Sequence, residues 1–166
     1  MSVLKRRIEV DAVVALGGNQ GDRATTLAAA VRDLAEAEGI ELTNVSTFHE
    51  TVALRLDGPD PGAPSYLNAV ATIRTTLTPD ALLALLHEIE ARHGRVREER
   101  WGDRTLDLDL IEMGGIRVER DDLTLPHPRA AERDFVLRPW LEIDPDAVLP
   151  GHGRVADLLA GLEARA

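Results

Sequence analysis

The sequence predicts an α+β fold: a ferredoxin-like split βαβ core, with an antiparallel sheet and two helices on one face, plus C-terminal additions. Three observations lead there. Strand-like and helix-like segments follow one another in the order β-α-β-β-α-β. Each helical segment carries its own start and stop signals. The 166 residues suffice for one domain with its own core, so 1–166 reads as a single domain.

The elements follow in chain order. Glu9 to Leu16 (EVDAVVAL) is a valine-rich run of buried-strand type that ends at Gly17-Gly18. Asp22 is placed to cap a helix from about Arg23 to Glu38, with Leu27, Ala30, Val31 and Leu34 at helical spacing and Gly39 as its stop. Glu41 to His49 reads as the second strand. Leu54 to Pro64 (LRLDGPDPGAP) has the Pro, Gly and Asp content of a loop. Tyr66 to Thr75 (YLNAVATIRT) is the third strand. Thr78-Pro79 opens a second helix, Thr as N-cap and Pro at the first helical position, running to about His93 and stopping at Gly94. The fourth strand spans Thr105 to about Glu112, and Gly114-Gly115 suggests a hairpin turn into Ile116 to Val118. A loop (LTLPHPRAAERD), an apolar segment (FVLRPWLEI) and a short helix from about Val155 to Glu163 complete the chain.

Composition narrows the function. The net charge is −10, and the aromatics are two Trp, one Tyr and two Phe. A general nucleic-acid binder would want a basic surface and stacking platforms, so nucleic acid is not an expected partner. With no cysteine, neither a disulfide framework nor a thiolate metal site is available. No apolar run approaches the roughly 20 residues of a membrane helix, and the N-terminus is a poor signal peptide. A cytoplasmic protein with no membrane partner is expected, and a monomer, because nothing calls for an obligate partner chain.

The chemistry concentrates in one stretch. In RWGDRTLDLDL, Asp107 and Asp109 alternate with Leu106, Leu108 and Leu110. On a strand, both carboxylates share a face, roughly 7 Å apart along the chain. Spacing alone leaves two readings open, a solvated strand face or a hard-cation site. Mg²⁺ takes one or two carboxylates together with substrate phosphates and water. Upstream, Arg92, Arg95, Arg97, Arg100 and Arg104 crowd around Trp101. Arginine suits planar, bidentate contact with phosphate. Some of these arginines can pair with Glu98 and Glu99, but that leaves the run into Trp and two aspartates unexplained. Carboxylates for Mg²⁺ beside an arginine segment point to nucleotide phosphoryl chemistry. GGNQGD lacks the ending of a phosphate-binding P-loop and serves as a strand-to-helix turn. His127 lies between prolines with Arg129 and Arg133 nearby. Tyr66 and Asn68 share a strand face, and an Asn amide can read a heterocycle edge.

Four blocks, VALGGNQGD, YLNAV, GRVREERWGDRTLDLDLI and LTLPHPRAAERDFVL, resemble the 6-hydroxymethyl-7,8-dihydropterin pyrophosphokinase (HPPK) family, in family order and over most of the chain. The resemblance implies transfer of pyrophosphate from ATP to the hydroxymethyl group of 6-hydroxymethyl-7,8-dihydropterin in tetrahydrofolate biosynthesis, releasing AMP. It implies that Asp107 and Asp109 bind Mg²⁺, two ions with ATP. Arg95, Arg97, Arg100, Trp101 and Arg104 match the loop that closes over ATP, with Arg95, Arg97 and Arg104 catalytic beside the aspartates. Glu90, Leu110, Thr124, His127 and Arg133 match further nucleotide positions. Thr51, Val52, Leu54, Tyr66, Asn68, Trp101, Asp107 and Phe135 match the pterin pocket.

The chain also departs from the family pattern. GGN replaces the commoner GSN, Asp103 replaces a Pro, and Asp122 stands where a basic residue is frequent. Glu98-Glu99 bring negative charge among the arginines. The stretch after Thr51 is rewritten and longer. Two alternatives to the enzyme therefore stand at this point: a ferredoxin-like module binding RNA or a small ligand, and a family member that has lost turnover.

Overall fold

The computed structural model describes residues 8–19, 21–51, 54–55, 58–59, 65–94 and 106–165. Its strands are β1 (Val10–Gly18), β2 (Ile40–Val45), β3 (His49–Thr51), β4 (Leu54–Arg55), β5 (Gly58–Pro59), β6 (Tyr66–Thr75), β7 (Asp107–Met113), β8 (Val118–Glu119), β9 (Thr124–Leu125), β10 (Val148–Leu149) and β11 (Gly153–Arg154). The helices are α1 (Arg23–Glu36), α2 (Pro79–Arg92), α3 (Asp134–Ile143) and α4 (Val155–Arg165). A 3-10 turn, Ala130–Glu132, precedes α3.

The main sheet runs β2-β6-β1-β7, with β3 extending alongside β6, and every pairing is antiparallel. Crossover α1 leaves a gap between β1 and β2 that β6 fills. Crossover α2 then carries the chain past β1 to β7. This is the split βαβ arrangement expected from the order of elements. Both helices begin as their sequences dictate. The Asp22 carboxylate accepts from the Thr25 N–H at 3.2 Å, and the Thr78 hydroxyl accepts from the Ala81 N–H at 3.2 Å, with Pro79 opening α2.

The middle of the sheet is buried on both faces, which explains the continuous apolar run of β1 from Ala12 to Leu16. On one face Ala12, Val14 and Leu16 pack with Leu27, Leu34, Leu82, Leu86 and Ile89 of α1 and α2. On the other face Val13, Ala15 and Val70 pack with Val136, Leu137 and Trp140 of α3 and with Val155 and Leu159 of α4. The C-terminal elements are thus a second layer with its own core. Among the described residues, no helix is long and apolar enough to cross a membrane.

Several local expectations change. β1 continues through Gly17 and Gly18, which pair with Asn68 and Leu67. The expected second strand divides into β2 and β3 because Ser46 takes over a ladder position. Its hydroxyl accepts the Val70 N–H at 3.0 Å, while its own N–H donates to the Val70 carbonyl at 2.9 Å. Within the expected 54–64 loop, β4 and β5 form a short ladder. Gly114 and Gly115 do make a turn, both at positive φ, but β8 pairs with β9 rather than folding back on β7. The apolar segment FVLRPWLEI is helix α3, with Pro139 inside it.

Trp140 is 3% exposed in the second core. Replacing it with Ala should cost about 3–5 kcal/mol of unfolding free energy, read from urea denaturation. A loss under about 1 kcal/mol would make the second layer a detachable decoration.

Candidate active site

Register builds the site. Residues directly opposite across an antiparallel sheet point to the same side. Asn68, Gly17 and Asp107 are cross-strand partners in one row, and Val70, Ala15 and Asp109 form the next. Since Ala15 and Val70 belong to the second core, both aspartates face the second layer. Leu108 and Leu110 point the opposite way, into the first core. The sequence-derived pairing of the two carboxylates on one face therefore holds.

Second-layer groups converge on this row from the start of α3. Arg133, at the N-cap of α3, places Nη1 3.8 Å from Asp109 Oδ2, and its guanidinium lies 5.6 Å from the centroid of the Phe135 ring. At an effective dielectric near 20, two carboxylates roughly 7 Å apart repel by roughly 2 kcal/mol, and a cation at this closer range attracts about twice as strongly. Asp109 is 46% exposed, so solvent weakens both terms, but their order stands. At the far end of α3, Glu142 accepts the Thr47 N–H at 2.7 Å and the Thr47 hydroxyl at 2.5 Å. Those bonds hold its carboxyl below the usual carboxylate range and fix α3 against the β2–β3 link.

On the other flank, Asn68 is 6% exposed and donates from Nδ2 to Thr51 Oγ1 at 2.7 Å. Tyr66 pairs with Thr51 and shares the Asn68 face. Thr51, Tyr66, Asn68, Asp107, Asp109, Arg133 and Phe135 thus belong to one side of the sheet. Arg23, in the first turn of α1, ties this flank together. Its Nη1 donates to the Ser65 carbonyl at 2.5 Å and to the Ser65 hydroxyl at 2.7 Å, and sits 3.8 Å from Glu50 Oε1. Ser65 also donates to Glu50. This cluster pins both ends of the rewritten segment between Thr51 and Ser65, and sequence alone offered no sign of it.

His127 anchors to the outer edge of β7, its backbone N–H donating to the Ile111 carbonyl at 2.8 Å. Its Nδ1 accepts from the Arg129 N–H at 3.2 Å, which assigns the imidazole proton to Nε2. Burial pushes the imidazole pKa down. Asp109 pulls it up, Arg133 and Arg129 push it down, and the net shift is downward. His127 is therefore a neutral Nε2–H donor near pH 7. Thr124 sits on the β8–β9 hairpin, its hydroxyl donating to the Arg120 carbonyl at 3.2 Å. Arg120 pairs with Asp80 at the start of α2 and, at 3.2 Å, with Asp122. Asp122 thus has a local counter-charge, which accounts for an acid at that position.

Glu90 and Leu110 do not join the row by side chain. Glu90 is 2% exposed on α2 and accepts the Leu108 N–H at 3.0 Å. Leu110 is buried in the first core, its side chain turned away from the row. Two residues on from Leu108, it aims its N–H and C=O toward the same outer edge of β7. Arg95, Arg97, Arg100, Trp101, Arg104 and Val52, and the side chain of Leu54, lie outside the described residues. The arginine segment leaves α2 at Gly94, whose φ of +75° suits glycine, and returns at Leu106 beside Asp107. At its start, His93 Nε2 lies 2.9 Å from Asp33 of α1.

Among the described residues no three His, Cys, Asp or Glu side chains cluster as a metal cage. Two half-exposed carboxylates on one strand face are nonetheless the donor set that suits Mg²⁺ arriving with a polyphosphate, which supplies the remaining oxygens.

Comparison with known proteins identifies the family and the fold. The sequence model of the family "7,8-dihydro-6-hydroxymethylpterin-pyrophosphokinase (HPPK)" matches residues 13–145. The 2-amino-4-hydroxy-6-hydroxymethyldihydropteridine pyrophosphokinase of Synechocystis is 44% identical over 143 residues, 86% of this chain and 71% of its own. The Haemophilus influenzae protein of the same name is 39% identical over 150 residues, 90% of this chain and 91% of its own. Wild-type Plasmodium falciparum HPPK-DHPS superposes with a TM-score of 0.73 at 13% identity, over 98% of this chain and 42% of that one. This chain spans less than half of that solved chain, and the likeness shows the fold alone.

The tautomer and charge assigned to His127 are open to measurement. Its ring resonances should titrate with a midpoint below 6.5 in the free protein, and Asp109→Asn should lower that midpoint further by removing the carboxylate that favours the cation. A midpoint above 6.5, or a rise in Asp109→Asn, would contradict the assignment.

Proposed function

The chain belongs to the HPPK family, and we propose on that premise that its own Asp107–Asn68 row carries the reaction: transfer of pyrophosphate from ATP to the hydroxymethyl oxygen of 6-hydroxymethyl-7,8-dihydropterin, with release of AMP. The observation that carries the reading is the row itself, in which a heterocycle-reading amide and a cation-type carboxylate face one side of the sheet two strands apart.

Each group has a part suited to its surroundings. Asn68, oriented by Thr51, reads the polar edge of the pterin. Tyr66 and Phe135 supply aromatic surface for the ring. Asp107 and Asp109 fit Mg²⁺, which we take as two ions with ATP; when bound, it neutralises phosphate charge and makes the substrate hydroxyl more acidic. Arg133 stands at Asp109 as a counter-charge ready to contact phosphate. His127, neutral, donates from Nε2 without bringing a proton that phosphate must compete for. Leu110 offers backbone at the β7 edge to the base, and Glu90 holds that strand in place. Arg95, Arg97, Arg100, Trp101 and Arg104 stand in the segment that begins at α2 and ends beside Asp107, which suits closure over ATP. Val52 and Leu54 complete the pterin side in this reading. Catalysis rests on positioning and on charge stabilisation as the bond to the α-phosphate breaks. A binding module without turnover leaves the carboxylate pair without work. We read one domain acting as a monomer on two small substrates.

The decisive measurement is the nucleotide product with ATP, Mg²⁺ and 6-hydroxymethyl-7,8-dihydropterin. AMP is expected, and ADP would remove the pyrophosphoryl assignment. Asp107→Asn and Asp109→Asn should each lower kcat by about 100-fold or more at limiting Mg²⁺. Near-normal turnover in both would remove the metal role.

A further inference from the structure

Gly17 occupies the centre of the substrate row, between Asn68 on β6 and Asp107 on β7. It is a strand residue at an ordinary φ, so backbone freedom does not explain a glycine there. Space does. A Cβ built on Gly17 falls 3.0 Å from Asn68 Oδ1, closer than such contacts normally come, while the nearest backbone atom, the Leu67 carbonyl oxygen, is at a comfortable 3.7 Å. The clash is therefore with the Asn68 amide alone. That amide cannot easily retreat, being buried and tied to Thr51 at 2.7 Å on its other terminus.

We infer that Gly17 is a positioning and specificity residue for the pterin: its missing side chain lets the Asn68 amide stand in its reading orientation and leaves a floor over which the hydroxymethyl arm reaches Asp107. The inference rests on the pterin reading of Asn68. Two strand spacings, about 10 Å, separate the Asn68 and Asp107 positions, and any substrate read at one and reacting at the other must cross Gly17. A glycine inside a central strand otherwise weakens it, and close approach of another group is a recognised reason to keep one. Gly17 touches no reacting atom in this account. It acts through Asn68 and through the space it leaves.

The test is a double-mutant cycle on the full chain with Gly17→Ala, Asn68→Ala and the double variant. Gly17→Ala is expected to raise the KM for 6-hydroxymethyl-7,8-dihydropterin about tenfold, with the KM for ATP within about twofold of the parent, a split that general destabilisation would not produce. In the Asn68→Ala background, adding Gly17→Ala should change the pterin KM by less than about threefold. If Gly17→Ala alone fails to fold, Gly17→Ala with Asn68→Ser is expected to fold, since the struck oxygen is gone; failure of both would place the clash elsewhere and overturn the inference. A weakened Asn68→Ala beside an unaffected Gly17→Ala would overturn the inference alone. A wild-type pterin KM in Asn68→Ala would sink the pterin reading and this inference with it.

Discussion

The alternation of β7 is the constraint on which the site depends. Leu108 and Leu110 are buried in the first core, and that burial fixes which way the strand faces. Asp107 and Asp109 then have no choice but the opposite side. A one-residue slip would drive both carboxylates into a leucine-lined core and bring the leucines out, an exchange costing several kcal/mol. Glu90 reinforces the setting by taking the Leu108 N–H from the buried side of α2. The carboxylates keep their places because of the residues between them, whose work is hydrophobic.

The second layer turns that strand face into a site. An antiparallel sheet with one bare face would present the aspartates to water. Here α3 and α4 cover the middle of that face with an apolar core, which leaves polar residues to its two ends: the Asn68–Gly17–Asp107 row at one and the exposed Arg74–Asp11 pair at the other. The start of α3 brings Arg133 and Phe135 to that end, and Glu142 secures the other end of the helix. Charge is balanced by contact. Arg133 answers Asp109, and His127, kept neutral chiefly by burial, adds a donor without adding a second cation.

Much of this was legible because strong local signals agreed with the tertiary outcome. Tyr66 to Thr75 is read from sequence with its observed bounds, since its apolar run is flanked by turn residues on both sides. Asp22 and Thr78 announce both core helices through their caps. The failures have physical causes as well. Gly114-Gly115 looks like a hairpin, yet β8 finds its partner in β9, a choice set by tertiary pairing. Pro139 hides α3, because a proline within ten residues removes a helical hydrogen bond that burial of Val136, Leu137 and Trp140 more than offsets. Gly17 reads as the end of a strand, because a pattern cannot show that its neighbour across the ladder needs the room. The Arg23–Ser65–Glu50 cluster joins residues far apart in sequence, beyond the reach of periodicity.

The division of labour follows from which parts are built on paired strands. Asn68 and Gly17 sit on strands paired on both sides, and Asp107 and Asp109 lie on β7, paired along β1, so each backbone is fixed by a neighbour. Precision is needed there, since a heterocycle edge and a hydroxyl must be held a set distance apart. The arginine segment leaves α2 at Gly94 and rejoins the described chain at Leu106, next to Asp107 of β7. Phosphate tolerates variation in approach better than a pterin edge does, because charge attraction is long-ranged and non-directional compared with a paired amide contact. In the proposed reading, a chain that binds two unlike substrates gains by placing the directional contacts on the sheet and the charged ones on the connection that leads into it.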